Sequence, residues 1–200
     1  MLPLLLLILL IASLQSVAAS GTIVINVDPL YLEVDVDDTC IVDVNITNVE
    51  APGVYGYEFR LYYTTTLLNI TEADYPDDHF LSEENNFPTP VIINHEQGYV
   101  LFGCILLGDV PGSTGSGILA TINFTGTSLG VATLEIKNVT LLDPDGSDIT
   151  DFTVTDGAIE VVPEFTPALI IFIFMTITLV AVSLRKLAAS KKHNAFTAKT

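Results

Sequence analysis

The residues with obvious chemical potential are carboxylates. Asp143, Asp145 and Asp148 lie close together beside Ser147. Oxygen donors in such a run suit a hard cation such as Ca²⁺. An EF-hand loop needs Gly at its sixth position and a bidentate Glu at its twelfth. Counted from Asp143, those positions hold Asp148 and Val154, so the EF-hand reading fails. Pro144, Asp145 and Gly146 form a turn signal, because Gly supplies the positive φ. A hairpin turn and an adventitious Ca²⁺ site on Asp143, Asp145 and Asp148 both stand.

Catalysis is hard to build from this sequence. Paired carboxylates could serve a glycosidase. The chain has no Trp, however, to line a sugar cleft. His79 and His95 are the histidines of the acidic central region, and His193 lies in a basic tail. No His-x-x-x-His pair or Gly-rich phosphate loop occurs. His95 reads as a strand-end surface residue rather than a base. We expect no enzyme and no cofactor. Sugar stacking would fall to Tyr55, Tyr62, Tyr63, Tyr75 and Tyr99. Of these, Tyr62 and Tyr75 are the candidate binding-face residues, although core or ordinary surface roles serve each as well.

The distribution of charge sets the topology. The chain has 200 residues with 24 acids against seven bases, a net charge of −17. Such a chain repels phosphate, which excludes nucleic acid as a partner. Half the residues are hydrophobic and mean hydropathy is +0.54, so this is no disordered acidic tail. All 24 acids lie between Asp28 and Glu164, with only Arg60 and Lys137 as bases among them. Arg185, Lys186, Lys191, Lys192 and Lys199 follow an uncharged stretch, Phe165 to Leu184. That stretch has the length of a membrane span, and the basic tail points it to the cytoplasm. Leu2 to Leu14 is nearly all aliphatic, with Val17 and Ala19 at A-x-A-like spacing. We read residues 1–19 as a signal peptide, with an uncleaved anchor as the alternative. The organisation expected is signal peptide 1–19, ectodomain 20–162, junction and transmembrane helix 163–184, and cytoplasmic tail 185–200. The protein would be single-pass, with its N-terminal domain outside the cell. Asn-x-Thr occurs at Asn45, Asn69, Asn123 and Asn138, which are glycosylation candidates in an exported chain.

The central region has the period-two pattern of strands. Cys40, Val42, Val44 and Ile46 share one face. Tyr57, Phe59, Leu61 and Tyr63 share another, with Tyr62 outward. Ile118, Ala120, Ile122 and Phe124 form a third inward set. Further strands fit 22–27, 30–36, 67–71, 91–95, 99–106, 132–141 and 151–161. Turn clusters separate them at 51–53, 111–113 and 144–146. Some nine short strands at this spacing predict an all-β sandwich or jelly roll. This register puts Asn45, Asn69 and Asn123 outward. Asn138 fits only if a β-bulge interrupts its strand near Lys137. Residues 75–90 break the pattern as an acidic excursion, a solvated loop or a recognition or ion-binding loop. Cys40 and Cys104 both point inward, as a disulfide or as two buried thiols. A disulfide would need their Cα atoms within ~7 Å and, closing roughly 65 residues, would add ~4 kcal/mol.

In order along the chain, these segments resemble a cohesin domain. CIVDVNITNV (residues 40–49) is similar to the family's V-x-V-x-I-x-N-V strand. GVYGYEFRLYY (53–63) resembles the next strand, and TTTLLNI (64–70) the D-P-x-x-L-x-V element, with Thr65 where Pro is usual. GYVLF (98–102) resembles the G-x-I-x-F strand, and GSGILATINF (115–124) the G-x-L-A-x-I-x-F strand. DPDG (143–146) and DGAIEV (156–161) resemble the last hairpin. The resemblance implies a nine-stranded jelly-roll sandwich, related to carbohydrate-binding modules. It implies binding without catalysis, to a dockerin-type protein or a polysaccharide, at the cell surface. The alternative is an envelope glycoprotein spacer without a ligand. VPEFTP (162–167), the apolar stretch and the basic cluster resemble an archaeal PEF-type anchoring segment, although the tail is long for one.

Overall fold

The computed structural model describes residues 21–82, 85–164 and 167–197, with C-terminal helix side chains described for 171–186. Residues 1–19, read above as a signal peptide, lie outside the described residues. The chain divides into two compact units, the first ending at Val162 and the second starting at Pro163.

The first unit is a two-sheet β-sandwich. Its strands are β1 (Ile23–Asp28), β2 (Tyr31–Asp35), β3 (Thr39–Val54), β4 (Gly56–Tyr63), β5 (Leu68–Asp74), β6 (Asn86–Pro88), β7 (Ile92–Asn94), β8 (Tyr99–Leu106), β9 (Ser113–Gly126), β10 (Gly130–Leu142), β11 (Phe152–Thr155) and β12 (Gly157–Val162). One sheet has five strands in the order β11-β1-β3-β9-β5. The other has seven, ordered β2-β12-β10-β4-β8-β6 with β7 also on β8. β1–β11 and β2–β12 pair parallel, and the rest antiparallel.

Alternation fixed most of this register. Val42, Val44, Ile46, Phe59, Leu61, Ile122 and Phe124 are fully or almost fully buried between the sheets. Phe59 stacks on Phe102 at 5.5 Å, and Tyr63 meets Phe124 edge-on at 5.6 Å, joining the two layers. Burying so many apolar side chains, each stabilising by ~1.5–3 kcal/mol, makes this face assignment decisive.

The structure corrects the expected nine strands to twelve among the described residues. The segment read as one strand over 151–161 is two. The chain leaves the five-stranded sheet after Thr155 and enters the seven-stranded sheet at Gly157. The cluster at 51–53 is not a turn but lies inside β3, and the one at 111–113 runs into the start of β9. Gly53 has φ +92°, and a Cβ there would lie 2.4 Å from the Gly112 carbonyl oxygen. Two backbones thus approach closely where the turns were expected, beside the Val54–Ser113 pair. In β9, Leu119 is fully buried and Ile118 only partly so, the reverse of the expected order. A register shift between Val44 and Asn45 on β3 skips Leu119, and the alternation flips there. The bulge in β10 lies where the sequence required one. Pairing shifts between Lys137 and Thr140, and Asn138 has φ 53° and is exposed.

The acidic excursion is not simply solvated. Phe80 and Leu81 are 9% and 0% exposed. The Phe80 amide donates to the Ile118 carbonyl at 2.7 Å, closing one end of the sandwich. β6 follows on the edge of the seven-stranded sheet. Glu83 and Glu84 lie outside the described residues.

The second unit contains α1 (Pro167–Thr197). Its described side chains, residues 171–186, are all exposed. Among the described residues no helix is long and apolar enough to cross a membrane.

Candidate binding face

The two bases of the sandwich meet. Lys137 on β10 lies directly opposite Arg60 on β4, although the sequence separates them widely. Tyr62 is opposite Tyr99 on β8. All four point away from the core, because their neighbours Leu61, Val100 and Ile136 are buried. Each cation therefore has a tyrosine on its diagonal, within reach of a long side chain. The Arg60 guanidinium carbon lies 4.9 Å from the Tyr99 ring centroid. Lys137 Nζ lies 5.4 Å from that of Tyr62. The two rings are 5.4 Å apart and tilted by 47°.

Electrostatics hold the cluster charged. Lys137 Nζ lies 2.5 Å from Glu135 Oε2. That contact is the main cause that pushes the ammonium pKa above its ordinary value. The Arg60 Nε is buried without a hydrogen-bond partner. The guanidinium also hydrogen-bonds Tyr62, which holds its pKa above the ordinary value, and lies over the Tyr99 ring. The outward face of the five-stranded sheet has a different character. Asp43 accepts from Thr121 at 2.6 Å, Asp28 from Asn45 at 3.1 Å and Glu72 from Asn123 at 2.8 Å. Carboxylates there accept from neighbouring hydroxyl and amide groups, while Asn45 Oδ1 and Asn123 Oδ1 are buried without a partner.

The other candidates separate. Tyr62 is half-buried on the outward face. Tyr75 is half-buried and engaged within the structure. Its hydroxyl lies 3.1 and 2.9 Å from the Thr89 and Gly103 carbonyl oxygens and accepts the Gly103 amide at 3.0 Å. Its ring packs edge-on against Phe102 at 5.4 Å. Tyr55 donates to the Gly108 carbonyl at 2.6 Å. Tyr63 is buried, with its hydroxyl 3.1 Å from His95 Nδ1.

Cys40 and Cys104 are free thiols, not a bridge. Cys40 pairs with Phe124, which packs on Tyr63, and Cys104 pairs with Tyr57. Tyr57 and Tyr63 lie at opposite ends of β4, ~20 Å apart at the rise of a strand, far beyond disulfide reach. Burial raises both thiol pKa values, that of Cys104 to about 11.

The Asp143 carboxylate serves a turn. Its Oδ1 accepts the amides of Asp145 at 2.9 Å and Ser147 at 2.8 Å. Gly146 has φ 77°. Among the described residues, no group of three His, Cys, Asp or Glu side chains could hold a metal, so Asp143, Asp145 and Asp148 do not converge.

Two features escape the sequence reading. His79 is 6% exposed, and Nδ1 accepts the Leu81 amide at 3.3 Å. Burial lowers its pKa. It lines a cleft of about 510 Å³ between the 78–82 segment and residues 110–117. The apolar pair Phe80–Leu81 was the available signal that this stretch is anchored. The second is a G-x-S-x-G string over residues 126–130. It joins β9 to β10, strand to strand. A nucleophile elbow turns from strand into helix, so the string forms no catalytic elbow.

A family model described as the cohesin domain matches residues 17–161. The fold is similar to solved cohesins. A type I cohesin–dockerin complex from Clostridium thermocellum matches with a TM-score of 0.59 and 17% identity, over 71% of this chain and 100% of that one. A non-cellulosomal cohesin from the hyperthermophilic archaeon Archaeoglobus fulgidus gives a TM-score of 0.57 and 18% identity, over 71% and 92%. A type II cohesin from the cellulosome of Acetivibrio cellulolyticus gives 0.58 and 16%, over 70% and 95%. No curated protein matches the chain.

Proposed function

The chain belongs to the cohesin family, and from that premise we propose that it is a non-catalytic module that docks a dockerin-type protein partner. The observation that carries the reading is the Arg60–Tyr99–Tyr62–Lys137 cluster. It gathers both bases of an otherwise acidic sandwich, with two aromatic rings, on one sheet face. Arg and Tyr are enriched among the residues that dominate protein interfaces. Confining positive charge to one patch also steers an acidic surface toward it.

Polysaccharide fits less well. A sugar stacks on an open, flat ring face. Tyr62 and Tyr99 are tilted by 47°, and each has a cation against it. Tyr75 is engaged inside the structure.

We place the module outside the cell on a C-terminal anchor. The support is the uncharged stretch Phe165 to Leu184 followed by a basic cluster, and the acids confined before it. The described stretch of α1 falls short of a full span by itself, and its apolar side chains, such as Ile171, Phe172 and Leu179, are exposed around the helix, as in helices that face lipid.

The test is capture of proteins and glycans on the immobilised full chain, with and without Ca²⁺, beside an Arg60→Ala/Lys137→Ala variant. Retention of a dockerin-type protein by the wild type and its loss in the variant supports docking. Retention of polysaccharide with no protein overturns it.

A further inference from the structure

We propose that the folded chain accepts N-linked glycan at Asn138 first and Asn69 second, and that Asn45 and Asn123 are closed to it. In the transfer, Asn Nδ2 bonds to the anomeric carbon of a glycan carried on a polyprenyl diphosphate. The anomeric C–O bond breaks, and the polyprenyl diphosphate leaves with its electron pair. One amide proton passes to a base of the transferase. The step needs an amide nitrogen that the transferase can reach, on a backbone that can enter its groove.

All four sequons are alike in sequence, and the fold separates them. Asn45 lies on β3, which has β1 and β9 on either side. Its Nδ2 donates to Asp28 Oδ2 at 3.1 Å, and its Oδ1 is buried. Asn123 lies on β9, between β3 and β5. Its Nδ2 donates to Glu72 Oε2 at 2.8 Å, and its Oδ1 is also buried. Both side chains are half-buried on strands in the middle of a sheet. A transferase would have to break a charge-assisted hydrogen bond and lift a central strand.

Asn69 and Asn138 are both exposed. Asn69 is on β5, an edge strand paired only to β9. Its sequon threonine, Thr71, donates to the Asn123 carbonyl at 3.2 Å, which ranks this site second. Asn138 occupies the bulge of β10 at φ 53°. β12 pairs with β10 only as far as Leu134, so that ladder ends before the bulge. Thr140 of the same sequon is exposed. An unpaired, bulged backbone can enter an enzyme groove without unzipping the sheet.

Use of these sites in a cell rests on the external placement proposed above, but their order does not. The test incubates the purified full chain with an Asn-x-Thr-specific oligosaccharyltransferase and a polyprenyl-diphosphate-linked oligosaccharide. Synthetic peptides spanning each sequon are run in parallel, and occupancy is read by mass spectrometry. Normalised to its own peptide, each open site should exceed Asn45 and Asn123 by about tenfold or more, the protection of a modest local-opening energy. Asn138→Gln and Asn69→Gln, at exposed positions, should each remove one modification. Peptide-like modification of Asn45 or Asn123 in the folded chain would overturn the proposal. So would blank Asn138 and Asn69 beside modified peptides. Failure of the membrane placement would leave these occupancies unchanged.

Discussion

Arg60 and Lys137 are cross-strand neighbours of like charge. Such pairs destabilise a sheet. Here the rings of Tyr99 and Tyr62 and the Glu135 carboxylate offset the repulsion. Neither base supports the core, so a partner is the better reason for their position. Arg60→Ala and Lys137→Ala should each weaken docking by about tenfold or more, as for interface anchors. Folding stability should change by no more than about 0.5 kcal/mol, as for surface changes. Calorimetric titration with the captured partner, beside urea unfolding, separates the two. Equal affinity in both variants would remove this face from the interface.

Tyr75 should matter for the opposite reason. Tyr75→Phe keeps the ring on Phe102 but leaves the Gly103 amide without its acceptor. A loss of about 1–3 kcal/mol is expected for an orphaned buried donor, with docking unchanged. Urea midpoints of the two proteins check the first expectation, and partner titration the second.

His79 sets a pH dependence. Its folded pKa is depressed by burial, so the folded state favours the neutral ring. The unfolded chain keeps an ordinary value of about 6.5. The contribution is complete above that value and is lost as pH falls from there toward the folded pKa. His79→Gln should flatten the fall in melting temperature between about pH 7 and pH 5 relative to the wild type. Parallel melting curves for the two proteins would refute it.

The thiols should be inert. With pKa values raised by burial, neither presents thiolate near neutrality. An aromatic disulfide reagent at pH 8 should leave Cys104 unmodified in the folded protein and titrate both cysteines in denaturant. Reducing agent should not change the melting temperature.

What was legible follows from what alternation encodes. Strands with one buried face announced themselves, and the Asn138 bulge was forced by the conflict between Ile136 and Leu141. The bulge at Leu119 carried no such conflict, since Ile118 and Leu119 are both apolar and either could face inward. Pro52 and Gly53 read as a turn because their local preference is a turn. The close approach of Gly112 requires the same residues within a long strand. The docking face was half visible. Tyr62 was placed outward from its own strand, and Arg60 and Lys137 stood out as the only bases in an acidic region. Their meeting depended on β10 pairing with β4, a contact that no local pattern records.

The sheet margins bear on life in a crowd. Many copies displayed side by side risk joining strand to strand into a continuous aggregate. β6 and β7 are three residues long, β11 is four and β2 is five, too short to template much pairing. β5 is longer, but its register breaks between Ile70 and Glu72. A sugar chain on Asn69 would shield that margin further. The sandwich is thus built to stand close to its own copies without fusing with them.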